Sequence, residues 1–311
     1  MMAHMMETMA YAGEVPWHGL GKKVLNDLTP EQMMKEAGVD WHVEELETFV
    51  EFNGDKIPTG KKALVRETDG RVLTEVGANW HPVQNIEAFE FFSEFVESGS
   101  MEMHTAGSLK NGEIVWVLAK VGEEFTLGNG DTTESYLLLS NPHQYGKTIQ
   151  IKFTPIRVVC KNTISLALRN VSDVQISLNH RRQFDADAVK ETLGIAHVKM
   201  EKYREMADYL SKSPYKADTL DEYLTELFGT KKGAEGDLTR TGETVRELVE
   251  TSPGFEYSEG SWWNAFNAVT YYTDHLAGRS ADTRLTSSWY GANEKKKIQA
   301  LEKALEYAEA A

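Results

Sequence analysis

KKALVRETDGRVLTEVG, residues 61–77, is the stretch on which the fold class turns. Apolar and polar residues alternate on both sides of Asp69-Gly70, and a period of two marks a half-buried strand. The Asp-Gly pair tolerates the positive φ of a tight turn, so the stretch predicts a β-hairpin. Immediately upstream, ETFVEFNGDKIPTG (47–60) repeats the pattern around Asn53-Gly54. Downstream, Ile86, Phe89, Phe92 (or Phe91) and Val96 recur at helical spacing, and EIVWVLAKV (113–121), ESYLLLS (134–140) and KTIQIKF (147–153) return to strands. Gly128-Asn129-Gly130-Asp131 supplies the turn between two of them.

Beyond residue 185 the period changes. Val189, Leu193, Ala196, Met200, Tyr203, Ala207 and Leu210 step by four and three, the spacing of a long amphipathic helix. Shorter helices are predicted near 219–228 and 242–250, after a loop at KKGAEGD (231–237) sits between them. SWWNAFNAVTYYTDHLAG (261–278) reads as a helix closed by Gly278, and NEKKKIQALEKALEYAEA (293–310) as one capped by Asn293. The expectation is therefore α+β: an N-terminal arm over 1–43, a mixed α+β core over 44–183, and a helical region over 184–311.

The totals narrow the function classes. The chain has 311 residues, 41% hydrophobic and 26% charged, which fits a soluble globular protein with ample core. Its single cysteine, Cys160, excludes an internal disulfide framework and fits a reducing cytoplasm. No apolar run reaches the roughly 18 residues of a membrane span, and MMAHMMETMAYAGEVPW (1–17) lacks the basic-then-apolar order of a secretory signal. The expected location is the cytoplasm of the host cell, with no membrane partner.

Charge is unevenly placed. The formal net charge is −15, yet residues 147–183 carry seven Lys and Arg against the single acid Asp173. A basic segment within an acidic chain suits a polyanion groove, although the cations could equally pair with surrounding carboxylates. Thr154-Pro155 is a helix-start signature, and a helix over 155–169 would place Arg157, Lys161 and Arg169 on one arc. β-branched residues keep a strand reading alive over 156–160. Lys147, Lys152, Arg181 and Arg182 would extend the exposed stripe from neighbouring elements. Trp80 and Tyr145, read as loop residues, would stack on bases, as sequence-tolerant single-strand binding requires. Trp17, Trp289 and Tyr290 also read as loop or element-end aromatics, whereas Trp262, Trp263, Tyr271 and Tyr272 read as packing.

No catalytic residue stands out, and no metal or cofactor is expected. The nine histidines show no i, i+4 pair on a helix, and there is no cysteine cluster. HGLGKK (18–23) lacks the spacing and the Ser/Thr of a phosphate-binding loop. Asp274-His275 fits an acid–base pair less well than a partly buried polar contact. Cys160 falls on the apolar side of its predicted helix, as a buried thiol does.

Four stretches together, PWHGLGKKV (16–24), VGANWHPVQNIEAFEFF (76–92), TPIRVVCKNTISLAL (154–168) and WNAFNAVTYYTDH (263–275), resemble the phage/plasmid-like proteins defined by a domain of unknown function. The resemblance runs from about residue 11 to 300 and implies a cytoplasmic product of a mobile element, without implying an activity. The order of hairpins, helix, strands and basic segment is more loosely similar to Rad52-like single-strand annealing proteins. That likeness implies a non-enzymatic, homo-oligomeric protein that binds single-stranded nucleic acid, DNA before RNA, in recombination or replication. A protein-interaction module that engages a host or phage protein through its acidic surface is the alternative.

Overall fold

The structure, a computed structural model, describes residues 6–13, 20–160, 162–163, 176–178, 186–231 and 237–310. The chain is α+β and forms two compact units interleaved in sequence. Unit one comprises Met1–Gly122, Tyr136–Lys152 and Asp173–Leu193; unit two comprises Glu123–Ser135, Phe153–Ser172 and Gly194–Ala311.

Unit one opens with β1 (Met6–Tyr11), β2 (Lys22–Lys23) and α1 (Pro30–Glu36). The N-terminal arm of the sequence reading thus holds regular structure. α1 begins where its residues dictate: Thr29 and Gln32 form a reciprocal capping box, and Pro30 occupies the first turn. There follow β3 (Val43–Phe52), β4 (Asp55–Arg66), β5 (Arg71–Gly77), α2 (Asn85–Glu90), α3 (Ser93–Glu97) and β6 (Met101–Leu109). β7 (Ile114–Thr126), β8 (Thr132–Pro142) and β9 (Ile149–Arg157) each contribute one part to either unit.

Two sheets result. β3, β4 and β5 form a three-stranded antiparallel sheet in chain order, and the hairpins expected at Asn53-Gly54 and Asp69-Gly70 both form. The larger sheet runs β10-β9-β8-β7-β6-β1-β2, where β10 is Asn162–Thr163 and β11 (Ile176–Leu178) also pairs with β9. β1 lies antiparallel to β6 so closely that a Cβ on Gly107 would meet the Thr8 carbonyl oxygen at 2.4 Å, which leaves glycine as the fitting residue. The core of unit one gathers Met33, Trp41, Leu64, Phe89, Phe92, Val117 and Ile151.

The helix expected over 155–169 is not formed where the chain is described. β9 extends through Arg157, a turn occupies 158–160, and β10 pairs with Ile156 and Arg157. The β-branched run Ile156, Val158, Val159 prefers the extended backbone, and Ile149 and Ile151 face the core at a period of two. Pro155, which cannot donate to a ladder, lies between the registers of β11 (149–151) and β10 (156–157).

Unit two is helical. α4 (Ala186–Lys212), which begins in unit one, leads into α5 (Ala217–Phe228), α6 (Arg240–Thr251), α7 (Trp262–Tyr271), α8 (Ala281–Tyr290) and α9 (Ala292–Glu309). Trp262 is buried between Tyr223 and Tyr307, with ring centroids 5.4 and 5.2 Å away. α7 starts at Ser261, whose side chain accepts from the Asn264 amide, and passes into a π-helical turn over Tyr272–Leu276 before Gly278 at φ +85°. α8 was not expected from the sequence, and it buries Trp289. Asn293 lies inside the first turn of α9 and donates from Nδ2 to the Thr273 carbonyl at 2.8 Å, so it is not the cap.

Candidate functional site

Arg157 sits at the centre of the basic stretch, but its guanidinium is not on the surface. It is 2% exposed. Nε lies 2.8 Å from both Asp131 carboxylate oxygens, Nη2 donates to the Gly254 carbonyl at 2.7 Å, and Nη1 points to Cys160 Sγ at 3.8 Å. Trp263 Nε1 donates to the same Asp131 carboxylate at 2.8 Å. All of these residues belong to unit two. Burial disfavours the charged guanidinium, yet Cys160 and Asp131 beside it hold its pKa above the ordinary arginine value. Tyr203 is fully buried, and burial reinforced by the charge of Asp131 raises its hydroxyl well above the usual tyrosine range.

A second buried ion pair stands on the π-helical turn. Asp274 Oδ1 accepts from Lys297 Nζ and from Ser288 Oγ, each at 2.8 Å, and all three residues are buried. The neighbouring His275 turns elsewhere: its ring stacks on Tyr271 with centroids 4.4 Å apart, and Nε2–H donates to the Cys160 carbonyl at 2.9 Å. Burial lowers the His275 pKa below the ordinary histidine value. Asp274 and His275, adjacent in sequence, thus direct these hydrogen bonds to different partners, while the Asp274 charge still acts on the imidazole. Among the described residues no three His, Cys, Asp or Glu side chains gather around a metal-sized position. Both pairs are buried and hydrogen-bonded on their polar sides, as buried ion pairs of a framework are.

The other residues of the expected groove are scattered. Lys152, on β9, and Trp80 are buried, so neither meets a ligand as an exposed cation or a stacking ring. The exposed stripe is thus corrected at Lys152, Arg157 and Trp80: β9 is covered on both faces, and Trp80 belongs to the core of unit one. Tyr145, 69% exposed, and Lys147 do reach solvent, on the loop between β8 and β9. Lys161, Arg169, Arg181 and Arg182 lie outside the described residues, as does Trp17.

The hairpin β3–β4 forms where the sequence places it, but its exposure was not foreseen. Every residue from Phe49 to Lys61 is exposed, and Leu46, Phe49, Val50, Phe52 and Ile57 are about half exposed or more, with Phe52 at 65%. Register sets the faces near the turn: Val50 opposes Ile57 and Phe52 opposes Asp55 on one face, while Phe49 opposes Pro58 on the other; the register shifts between Glu47 and Phe49, before which Leu46 opposes Ala63. Between the inner and outer apolar residues runs a polar belt, in which Thr48 Oγ1 donates to Glu75 at 3.0 Å and Lys61 pairs with Glu75 at 3.1 Å. Residues 44–57 hold Glu44, Glu45, Glu47, Glu51 and Asp55 against Lys56 alone. The alternation of strand residues reads as one core-facing side, and no local signal told that no core covers it.

Residues 72–297 match a family described as a domain of unknown function, DUF932. The chain belongs to this family. The DUF932 match starts in β5 and ends in α9, and it includes both buried ion pairs, while β3 and β4 precede it. No curated protein and no solved structure matches the chain.

Proposed function

We propose that this DUF932 protein is a non-enzymatic interaction module that engages a partner protein through the hairpin β3–β4. The observation that carries this reading is the exposure of Leu46, Phe49, Val50, Phe52 and Ile57 together on one acidic projection. Apolar side chains held in water along a hairpin are the composition of a recognition surface, since monomers seldom expose contiguous apolar patches beyond roughly 300–600 Å². Their acidic surroundings disfavour phosphate and favour a partner with cationic side chains. In the setting implied by the resemblance to phage and plasmid products, a host or phage protein is that partner. A photo-crosslinking residue in place of Phe52 tests this in expressing cells. Discrete protein adducts that vanish when Ile57→Asp is added support the reading; adducts indifferent to that substitution count against it.

A second reading, single-stranded nucleic-acid binding by a self-associating annealing protein, is favoured by Tyr145 and Lys147, an exposed aromatic and a cation two residues apart on one loop. Binding of this kind weakens with salt, by about 0.7 in log K against log salt for each phosphate engaged. An oligonucleotide gel shift at low salt, lost in Tyr145→Ala with Lys147→Ala, is the result that would favour it.

A further inference from the structure

We infer that the free edge of β3 accepts a basic, extended segment of the partner protein, which adds as a fourth strand to the sheet β3–β4–β5. This deepens the reading of the hairpin as a protein-binding surface and rests on it.

The order β3-β4-β5 leaves β3 at an edge, where the Gln84 side chain takes up the N–H and C=O of Val43 and the strand beyond it is largely exposed. The backbone groups that face outward follow from the turn. Asn53 at φ 54° and Gly54 at φ 88° form a two-residue turn with both central residues left-handed, the type I′ geometry. Its flanking pair, Phe52 and Asp55, is the hydrogen-bonded pair that closes such a hairpin, and pairs alternate from there. Glu51–Lys56 and Phe49–Pro58 are then the alternate pairs, whose β3 N–H and C=O point away from β4. Pro58, which has no N–H to give, is consistent with that phase. Glu51 and Phe49 thus offer outward donors and acceptors at strand spacing, the template that strand addition uses.

Side chains then select the occupant. An added strand lies beside the face of Val50 and Phe52, so alternate apolar residues on it would cover them. Glu45 is engaged by Lys62 at 2.6 Å, whereas among the described residues Glu44, Glu47 and Glu51 close no ion pair within 4 Å, although Lys62 and Lys56 stand opposite Glu47 and Glu51 across the hairpin. Opposite charges facing each other across a strand pair are favourable and like charges are not. A second copy of β3 would set glutamates against glutamates, which is how edge strands resist self-pairing. A nucleic acid meets the same repulsion. A segment alternating Lys or Arg with aliphatic residues meets neither.

The test uses the intact chain and three synthetic peptides matched to β3 in length: one alternating Lys and Val, one alternating Glu and Val, and one of Lys and Val in shuffled order. Fluorescence anisotropy at low salt should rank the alternating Lys–Val peptide at least about tenfold tighter than the other two. On binding, the amides of Phe49 and Glu51 should gain protection from hydrogen exchange. Glu51→Pro, which removes one outward N–H from an edge position, should weaken binding by about tenfold or more. Glu47→Lys with Glu51→Lys, which leaves the backbone intact, should turn the preference towards the Glu–Val peptide. If Glu51→Pro binds as the parent does while Val50→Asp with Phe52→Asp abolishes binding, strand addition is wrong and the hairpin reading survives. Both are overturned if neither variant changes binding, or if the three peptides bind alike.

Discussion

Arg157 shows what a single residue decides here. Its partner Asp131 stands 26 positions earlier; Asp131 and the Gly254 carbonyl accept from the guanidinium, while Trp263 Nε1–H donates to the same carboxylate. Removing one member of a buried pair strands the other charge, so Arg157→Ala or Asp131→Ala should each cost about 3–5 kcal/mol in urea unfolding. Arg157→Met combined with Asp131→Leu should recover much of that loss, because no charge is then left buried alone. A neutral Arg157→Ala would show the guanidinium to be solvated. The sequence made Arg157 look outward because a helical arc fitted it as well as a strand did, and a carboxylate donated from a distant turn has no local signature. His275 adds a pH test. Burial lowers its folded pKa below the unfolded value near 6.5, so on acidification the unfolded chain takes up the proton first. Its contribution is complete above about pH 6.5 and is lost as pH falls through the folded pKa. The unfolding free energy of the parent should drop across that range, and His275→Gln should flatten the drop.

At the scale of elements, the turns were the most legible features. Asn53-Gly54 and Asp69-Gly70 both close hairpins, and the four-and-three spacing beyond residue 185 appears as α4. These rest on local backbone preferences, which a sequence carries directly. The failures came where tertiary pairing settles the outcome. Thr154-Pro155 fits a helix start, yet β9 is held by its neighbours in the sheet. Gly254 illustrates a backbone position that tertiary packing fixes. It holds φ +81°, and a Cβ there would lie 2.4 Å from Val159 Cγ1. Gly254→Ala therefore meets left-handed strain and a clash together, and should cost about 1–3 kcal/mol, read as a lower urea midpoint at unchanged slope. Substitutions on the hairpin belong to the opposite class. Val50→Asp with Phe52→Asp removes no buried contact, so unfolding free energy should stay within about 0.5 kcal/mol of the parent.

Across the whole molecule, the contrast lies between charges spent inside and charges left outside. The cations Arg157 and Lys297 are used within unit two, where they neutralise Asp131 and Asp274. The glutamates of β3 remain in water beside apolar side chains that no core covers. Net charge was readable from composition, but which charges reach solvent was not, because that depends on pairing between residues far apart in the chain. On the function proposed above, that surface takes a protein ligand and not a polyanion. One measurement separates the two most directly: a photo-crosslinking residue placed at Phe52 in one preparation and at Tyr145 in another, with the adducts from expressing cells digested by protease or by nuclease. The expected result is a discrete adduct from position 52 that protease removes and nuclease leaves intact. A nuclease-sensitive adduct from position 145, with none from position 52, would contradict it.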